Sequence, residues 1–148
     1  MDPHPDTVRH RARVQELMGE LTWLLDARAA EHDLSKCEPP EVAAFNAATD
    51  QLHGLEYGSP EYTAALEALG PALRHHYAHN RHHPEWHGDG IGGMTLIDLL
   101  EMLADWKGAS ERHATGSMEA SLAINAARFG IDPQLARILA NTVAFLGW

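Results

Sequence analysis

Apolar residues recur at helical spacing along most of this chain, and no segment alternates apolar and polar residues between hairpin turns. A clear example is the run Val14, Leu17, Leu21 and Leu24, whose steps of three and four residues place its members on one helix face. A half-buried strand would instead need apolar residues at every second position. The pattern therefore predicts an all-α fold without strands.

Capping residues, prolines and glycines divide this pattern into about six helices. Asp6, Ser117 and the Ser59-Pro60 pair are typical of helix starts, and Gly130 is typical of a helix end. The predicted helices span about 6–30, 41–52, 60–83, 95–110, 118–129 and 133–148. Gly70-Pro71 must break or kink the third. With 148 residues and short connections, we expect a single compact helical domain over residues 1–148.

The charge balance narrows the possible partners. The chain has 21 Asp and Glu against 11 Lys and Arg, for a net charge of −10 with neutral histidines. Nucleic-acid binding needs clustered positive charge, so we expect no nucleic-acid partner. No apolar run approaches the ~20 residues of a membrane span, and the first residues lack the apolar stretch of a signal peptide. The single Cys37 cannot form an internal disulfide, so a cytoplasmic protein without a membrane partner is predicted.

Histidine is the unusual component, because six of the 11 histidines lie within thirteen residues, between positions 75 and 87. On a helix that continues to His83, His75, His79 and either His82 or His83 share one face, with His76 on the adjacent stripe. Neutral imidazoles arranged in this way are natural ligands for one or two transition-metal ions. The cluster therefore predicts metal binding by a subset of these rings. A polar helix face with some hydrogen-bonded histidines is the alternative.

A second candidate element is the adjacent pair His32-Asp33 at the end of the first predicted helix. The pair offers an imidazole nitrogen and a carboxylate to one point in space. That donor set suits a divalent ion of intermediate hardness, such as Mn, Fe, Co, Ni or Zn. An ordinary helix C-terminus, where a histidine is favourable because it can carry positive charge, is the alternative interpretation.

The third element consists of Asp98, Glu101 and Asp105, which are spaced at i, i+3 and i+7 on one face of a predicted helix. Thr95 and Asp98 form a capping-box-like pattern, which explains Asp98 locally. A solvated position explains Glu101, so both are conditional metal ligands. Asp105 lies among apolar neighbours without such a local explanation, and it is our first choice as a carboxylate ligand.

Together these elements resemble the HD-domain superfamily, an all-α fold named for an adjacent His-Asp metal pair. The resemblance rests on the HDLSK run at residues 32–36 and on Ala104-Asp105, which is similar to the Ala-Asp that supplies the superfamily's last ligand. His82-His83, followed by a Gly/Asp-rich loop, is similar to the double His of the HD-GYP branch, although the GYP tripeptide is absent. Most members are metal-dependent phosphohydrolases, and one branch consists of di-iron oxygenases.

A closer resemblance links the runs HDLSK, HHYAHNRHHPEWH and MTLIDLLEMLADWKGAS to a small bacterial and phage family. That family carries only a domain-of-unknown-function label. The similarity covers nearly the whole chain and implies a shared site, without a settled activity.

The HD resemblance implies a metal-dependent phosphohydrolase with one or two divalent transition-metal ions and a small phosphorylated substrate such as a nucleotide. The alternatives are an HD-type di-iron oxygenase and a non-catalytic metal-binding or interaction module. The candidate metal ligands are His32, Asp33, His75, His79, His82, His83 and Asp105. The candidate phosphate-binding residues are Lys36, Arg81, Lys107 and Arg112.

HD domains usually take a further histidine from an earlier helix, and His10 is the conditional candidate for that ligand. In one straight helix, the 22 residues between His10 and His32 correspond to about 33 Å at ~1.5 Å per residue. His10 can therefore join the site only if the segment folds back, for example near Gly19.

Overall fold

The computed structural model describes residues 2–56, 58–112 and 116–148, and these residues form seven α-helices, three short 3₁₀ helices and no strand. The predicted all-α fold is confirmed. The α-helices are α1 (Pro5–Glu31), α2 (Glu41–His53), α3 (Pro60–Ala68), α4 (Gly70–His79), α5 (Leu96–Glu111), α6 (Met118–Phe129) and α7 (Pro133–Leu146). The 3₁₀ helices are Leu34–Cys37, Pro84–Trp86 and Gly90–Gly93.

The chain divides into two compact units, Met1–His32 and Asp33–Trp148. The first unit contains α1, which is one continuous helix of 27 residues. The second contains the other six α-helices and all three 3₁₀ helices. The single domain over residues 1–148 stays a prediction. Among the described residues, no helix combines the length and apolar character needed to cross a lipid bilayer.

The predicted third helix is two helices, because the chain breaks at Gly70, whose φ of +46° lies in the left-handed region. The expected break is thus confirmed. The predicted continuation to His83 is wrong, because α4 ends at His79 and Asn80 is extended. His83 is also extended and precedes Pro84, and a residue before proline is disfavoured in the helical region. The segment 80–83 therefore approaches the end of α4 as a loop.

The core of the second unit forms around α5, whose helix start is secured by a capping box between Thr95 and Asp98. Leu99, Met102, Leu103 and Trp106 of α5 are buried. They pack against apolar residues from α6, α7 and the segment between them, namely Met118, Ile131, Leu139 and Val143. With one face of α5 held in this core, the carboxylates of Asp98 and Glu101 contact the 80–83 segment instead.

Candidate metal centre

Four residues that are distant in sequence meet in the second unit: Asp33, His76, His82 and His83. One ligand atom from each lies within 4.8 Å of the others. The Oδ1 atom of Asp33 is 3.3 Å from Nε2 of His76 and 3.5 Å from Nε2 of His82. The Nε2 atoms of His76 and His83 are 2.9 Å apart. We refer to these four residues as the His/Asp cluster.

Asp33 enters the cluster from a single left-handed residue, with φ of 57°, directly before the 3₁₀ helix Leu34–Cys37. Aspartate is among the few residues that visit this conformation at modest cost. Its Oδ2 atom accepts an ion-paired hydrogen bond from Nζ of Lys36 at 2.6 Å. One carboxylate oxygen thus faces Lys36, and the other faces the histidines.

His76 is fixed by a network of buried polar groups on the side of the ring opposite to Asp33. Its Nδ1 atom lies 2.9 Å from Oε2 of Glu41, and the Ser35 hydroxyl donates to the same oxygen at 2.9 Å. The Asn80 amide donates to the Ser35 hydroxyl and to the His76 carbonyl, each at 2.8 Å. Burial, and then the positive charge of Lys36, lower the pKa of His76 below its ordinary value, against the opposing pull of the carboxylates. The ring is therefore neutral at pH 7.

Glu41 is completely buried in the first turn of α2, and it connects two histidines. Its Oε1 atom accepts a hydrogen bond from Nδ1 of His75 at 2.7 Å, while Oε2 faces Nδ1 of His76. Burial alone would raise the pKa of Glu41, but hydrogen bonds from His75 and Ser35 and the proximity of His76 outweigh it and lower that pKa. Glu41 is therefore an ionised acceptor in the interior.

His82 has the same arrangement on the other side of the cluster. Its side chain is almost fully buried, and its Nδ1 atom lies 3.1 Å from Oε1 of Glu101. A carboxylate oxygen of Asp105 and a ring nitrogen of His82 are within 4.8 Å of each other. The neighbouring ring of His83 packs between His82 and Tyr77, with ring centroids 4.1 and 4.7 Å away.

These hydrogen bonds determine which ring nitrogens face inward as acceptors. An ionised carboxylate only accepts, so the Nδ1 atom of His76 carries the proton that faces Glu41. Nδ1 of His82 faces Glu101 at 3.1 Å. Nε2 of His76 is then the acceptor nitrogen of that ring, 2.9 Å from Nε2 of His83. The Nε2 atoms of His76 and His82 lie 3.3 and 3.5 Å from Oδ1 of Asp33. A carboxylate on the far ring nitrogen is the usual support for a metal-bound histidine.

The spacing of the cluster also fits a metal ion. Zinc–nitrogen bonds of about 2.0–2.1 Å at tetrahedral angles place neighbouring ligand atoms about 3.3 Å apart. The separations of 2.9, 3.3 and 3.5 Å bracket that value, and the other pairs of ligand atoms lie within 4.8 Å. The His/Asp cluster can therefore hold a divalent ion, as the sequence predicted for a subset of its histidines.

A cavity of about 670 Å³ opens beside the cluster, and His76 and His83 form part of its wall. Asp105, Arg112 and Arg128 also line it. Much of the remaining wall is aromatic or aliphatic, from Phe45, Tyr62, Leu66, Leu73, Tyr77, Trp106, Ile124 and Phe129. A small molecule in this cavity would reach the ring edges of two cluster histidines.

His75 and His79 lie outside the His/Asp cluster, although the sequence assigned them to it. Their rings stack on each other at 3.8 Å, and Nδ1 of His79 donates to the His75 carbonyl. The assignment assumed a helix that continues to His83. Because α4 ends at His79, the loop brings His82 and His83 to His76 rather than to His75. The role of His75 and His79 as ligands remains a sequence prediction without geometric support.

Asp98 is saturated by protein donors, so the structure favours its local role over metal binding. Its Oδ2 atom accepts from the Thr95 amide at 2.9 Å and from the Thr95 hydroxyl at 2.7 Å. Arg81 donates to both carboxylate oxygens, at 3.2 and 3.1 Å, and stacks on the ring of Trp86. This pair anchors the 80–83 segment to α5. Arg81 is thereby engaged in a structural ion pair rather than presented to a phosphate.

The other predicted phosphate-binding residues differ in their surroundings. Lys36 pairs with Asp33, and Lys107 pairs with Glu111 at 2.9 Å. Arg112 lies at the wall of the cavity. Arg128, which the sequence did not single out, is at the same wall and donates to Glu85 at 2.8 Å. Lys36 also lines this cavity, so three cationic side chains reach its wall.

In the first unit, the condition for His10 is not met. The helix α1 runs without a break from Pro5 to Glu31, so His10 and His32 are about 33 Å apart along it. His32 itself caps the C-terminal end of α1 and precedes Asp33 in the chain. Its role as a ligand stays a prediction from the sequence.

The sequence interpretation missed His76 and Glu41 as the centre of the network. Pro84 could have corrected this prediction, because it disfavours a helix that continues through His83. Without that helix, His75, His79 and His83 do not share a helix face. Glu41 gave no such signal, since a glutamate in the first turn of a helix is common for local reasons. Only the fold brings it to His76, 35 positions along the chain.

The fold and the cluster define an all-α protein in which histidines and a carboxylate form a group that can hold a metal ion. The chain belongs to a family described as Family of unknown function (DUF5662), whose model matches residues 2–144. No curated protein and no solved structure matches the chain. The expected membership of a family with only a domain-of-unknown-function label is thus confirmed.

Proposed function

We propose that this protein is a metal-dependent phosphohydrolase that acts on a small phosphorylated substrate, such as a nucleotide. The observation that carries the proposal is the position of the His/Asp cluster at the wall of a 670 Å³ cavity. A structural metal site is usually closed by four protein ligands and does not need an adjacent cavity, whereas a catalytic site keeps an open position. The volume falls within the range of about 300–1,000 Å³ that is typical of small-molecule sites.

The proposed ligands of the ion are Asp33, His76, His82 and His83. Asp105 is a further candidate, because its carboxylate lies near His82 and lines the cavity. Imidazole and carboxylate donors together suit Mn, Fe, Co, Ni or Zn. When bound, such an ion supplies Lewis acidity, which lowers the pKa of water and polarises a phosphoryl oxygen.

The protein's own side chains would orient the ligands and bind the substrate. Glu41 and Glu101 contact the rings of His76 and His82 at their Nδ1 atoms, on the side away from Asp33. Arg112 and Arg128 bring two guanidinium groups to a cavity wall in an otherwise acidic protein. Their planar donors match phosphate oxygens. The aromatic and aliphatic part of the wall suits an apolar portion of the substrate.

The resemblance to the HD-domain superfamily supports the same proposal from the sequence. The adjacent His32-Asp33 pair and the Ala104-Asp105 pair match its motif, and Asp33 lies in the His/Asp cluster. We therefore extend the proposal to an HD-like site, with His32 as an additional ligand on the basis of its motif position. A mononuclear or a dinuclear centre is compatible with this set.

The first test is the metal content of protein purified without chelator, measured by elemental analysis. We expect close to one equivalent or more of a transition metal in the unmodified chain, and a large loss in the variant His82→Ala/His83→Ala. A content below ~0.2 equivalents that the double substitution leaves unchanged would refute both the hydrolase and the oxygenase proposals.

The second test is phosphate release from a panel of nucleotides and phosphomonoesters with Mn²⁺, Co²⁺ or Ni²⁺. His76→Ala and Asp105→Ala should each abolish it, while Arg137→Ala, at an exposed position of α7, should not. Oxygen uptake with iron and no phosphate release would instead identify the di-iron oxygenase. A loaded metal without either reaction would indicate a non-catalytic binding module.

A further inference from the structure

The first unit, taken by itself, presents an apolar seam along α1. None of its residues is buried. Val14, Leu17, Leu21 and Leu24 are each between 41% and 45% exposed, which is unusual for four aliphatic residues on one helix face. A single helix with an uncovered apolar face is only marginally stable in water, since helices in proteins are stabilised mainly by packing of that face. We therefore expect another apolar surface to pack against the seam.

The spacing of the seam matches the contact positions of a coiled coil. Val14 and Leu21 occupy a positions of a heptad repeat, and Leu17 and Leu24 occupy the d positions. In an antiparallel pair of identical helices, Val14 of one copy lies opposite Leu24 of the other, and Leu17 lies opposite Leu21. All four layers of the resulting contact are then apolar, so the seam is complementary to itself.

The charges of α1 select the antiparallel orientation. Residues 5–13 contain three arginines and one aspartate, for a net charge of +2 with neutral His10. Residues 14–31 contain one arginine and four carboxylates, for a net charge of −3. A parallel pair would place like charges together along its whole length. An antiparallel pair places the basic half of each helix beside the acidic half of the other.

We propose that α1 is a homodimerisation surface, and that its seam pairs antiparallel with α1 of a second copy of this chain. The existing ion pairs within α1, such as Arg13 with Glu16, are exposed and leave these side chains able to exchange partners. The proposed contact uses residues of α1 and none of the four residues of the His/Asp cluster, so it goes beyond the proposed function.

The first test is sedimentation velocity of the full chain over about a hundredfold range of concentration. We expect the mass of two chains at the upper end, with dissociation on dilution. Leu21→Glu, which places a charge in the seam, should give a monomer throughout. Ala12→Glu, which adds the same charge on the opposite face of α1, should leave the dimer intact. Circular dichroism should show a mainly helical chain for both variants, with a modest loss for Leu21→Glu because its α1 lacks the stabilising partner. A wild-type chain that stays monomeric, or equal behaviour of the two variants, would overturn the proposal.

A charge exchange tests the role of charge in the pairing without changing the seam. Arg9→Glu/Arg11→Glu/Arg13→Glu makes both halves of α1 acidic, and Glu16→Lys/Glu20→Lys/Asp26→Lys makes both halves basic. Each variant alone should be monomeric, and an equimolar mixture should form a heterodimer. Failure of the mixture to associate, in a chain whose wild type dimerises, would overturn the role of charge.

Distance measurement between spin labels gives an independent result on orientation. A label at Val8→Cys, in a Cys37→Ser background, should lie about 33 Å from its equivalent in an antiparallel dimer, because 22 helical residues separate the two positions along the axis. A parallel dimer would bring the labels side by side and would refute the antiparallel arrangement.

Discussion

Replacement of Glu41 by Gln tests whether a buried carboxylate prepares His76 to bind a metal ion. Glu41 accepts hydrogen bonds on both oxygens, from His75 on Oε1 and from His76 and Ser35 on Oε2. A glutamine has the same shape but only one acceptor oxygen, so its amide group must face one of the two imidazoles. When it faces His76, that ring has to move its proton to Nε2, which points at Asp33 and is the atom proposed to bind the metal.

The expected loss of metal affinity follows from the lost orientation of His76 and the lost charge. Substitution of a partner that supports a metal-bound histidine typically weakens metal affinity about 10- to 100-fold. That range corresponds to about 1.4–2.7 kcal/mol. The lower end applies when the half-exposed His75 turns away, so that the amide oxygen of the introduced glutamine can accept from His76. The upper end applies when His76 changes its tautomer.

The assay is competition for Zn²⁺ against a chromophoric chelator, at a temperature where thermal melting shows both proteins to be folded. Glu38→Gln is the matched control, because it removes the same charge from an exposed position three residues earlier in the chain. We expect wild-type affinity for that control. If Glu41→Gln also binds Zn²⁺ within about twofold of the wild type while His76→Ala does not bind, the proposed orientation by Glu41 is wrong.

Three further predictions concern the surroundings of the cluster. Asp98→Asn removes the charge that pairs with Arg81, and it should lower the free energy of unfolding by about 1–3 kcal/mol in urea titrations without changing the metal content; an equally stable variant would contradict this. His75→Ala/His79→Ala should keep the metal content of the wild type in elemental analysis, since these rings lie outside the cluster, and a loss of metal would restore them as ligands. Removal of metal by a chelator should lower the melting temperature, and Zn²⁺ at about 100 times its Kd should restore about 2.7 kcal/mol; no recovery in calorimetry would argue against binding to the folded state.

The helices could be predicted from the sequence because their signals are local. The period of the apolar residues, the caps at Ser59 and Ser117, and the break at Gly70 each depend on a few neighbouring residues, and the structure has a helix start or break at each of these positions. The one error in these boundaries, the extension to His83, is also local, since Pro84 already disfavours it.

The sequence by itself thus determined the all-α class, the excess of metal-binding residue types and the positions of Asp33, His82 and His83 as candidates. The tertiary structure alone decided which imidazoles meet. His76 and Glu41 are 35 positions apart, and their contact depends on how α2 packs against α4 rather than on any periodicity. It also decided that Asp98 and Arg81 neutralise each other, because a carboxylate and a guanidinium 17 positions apart pair only when a loop brings them together. Local spacing specifies helices, whereas a site of convergent donors is a property of their packing.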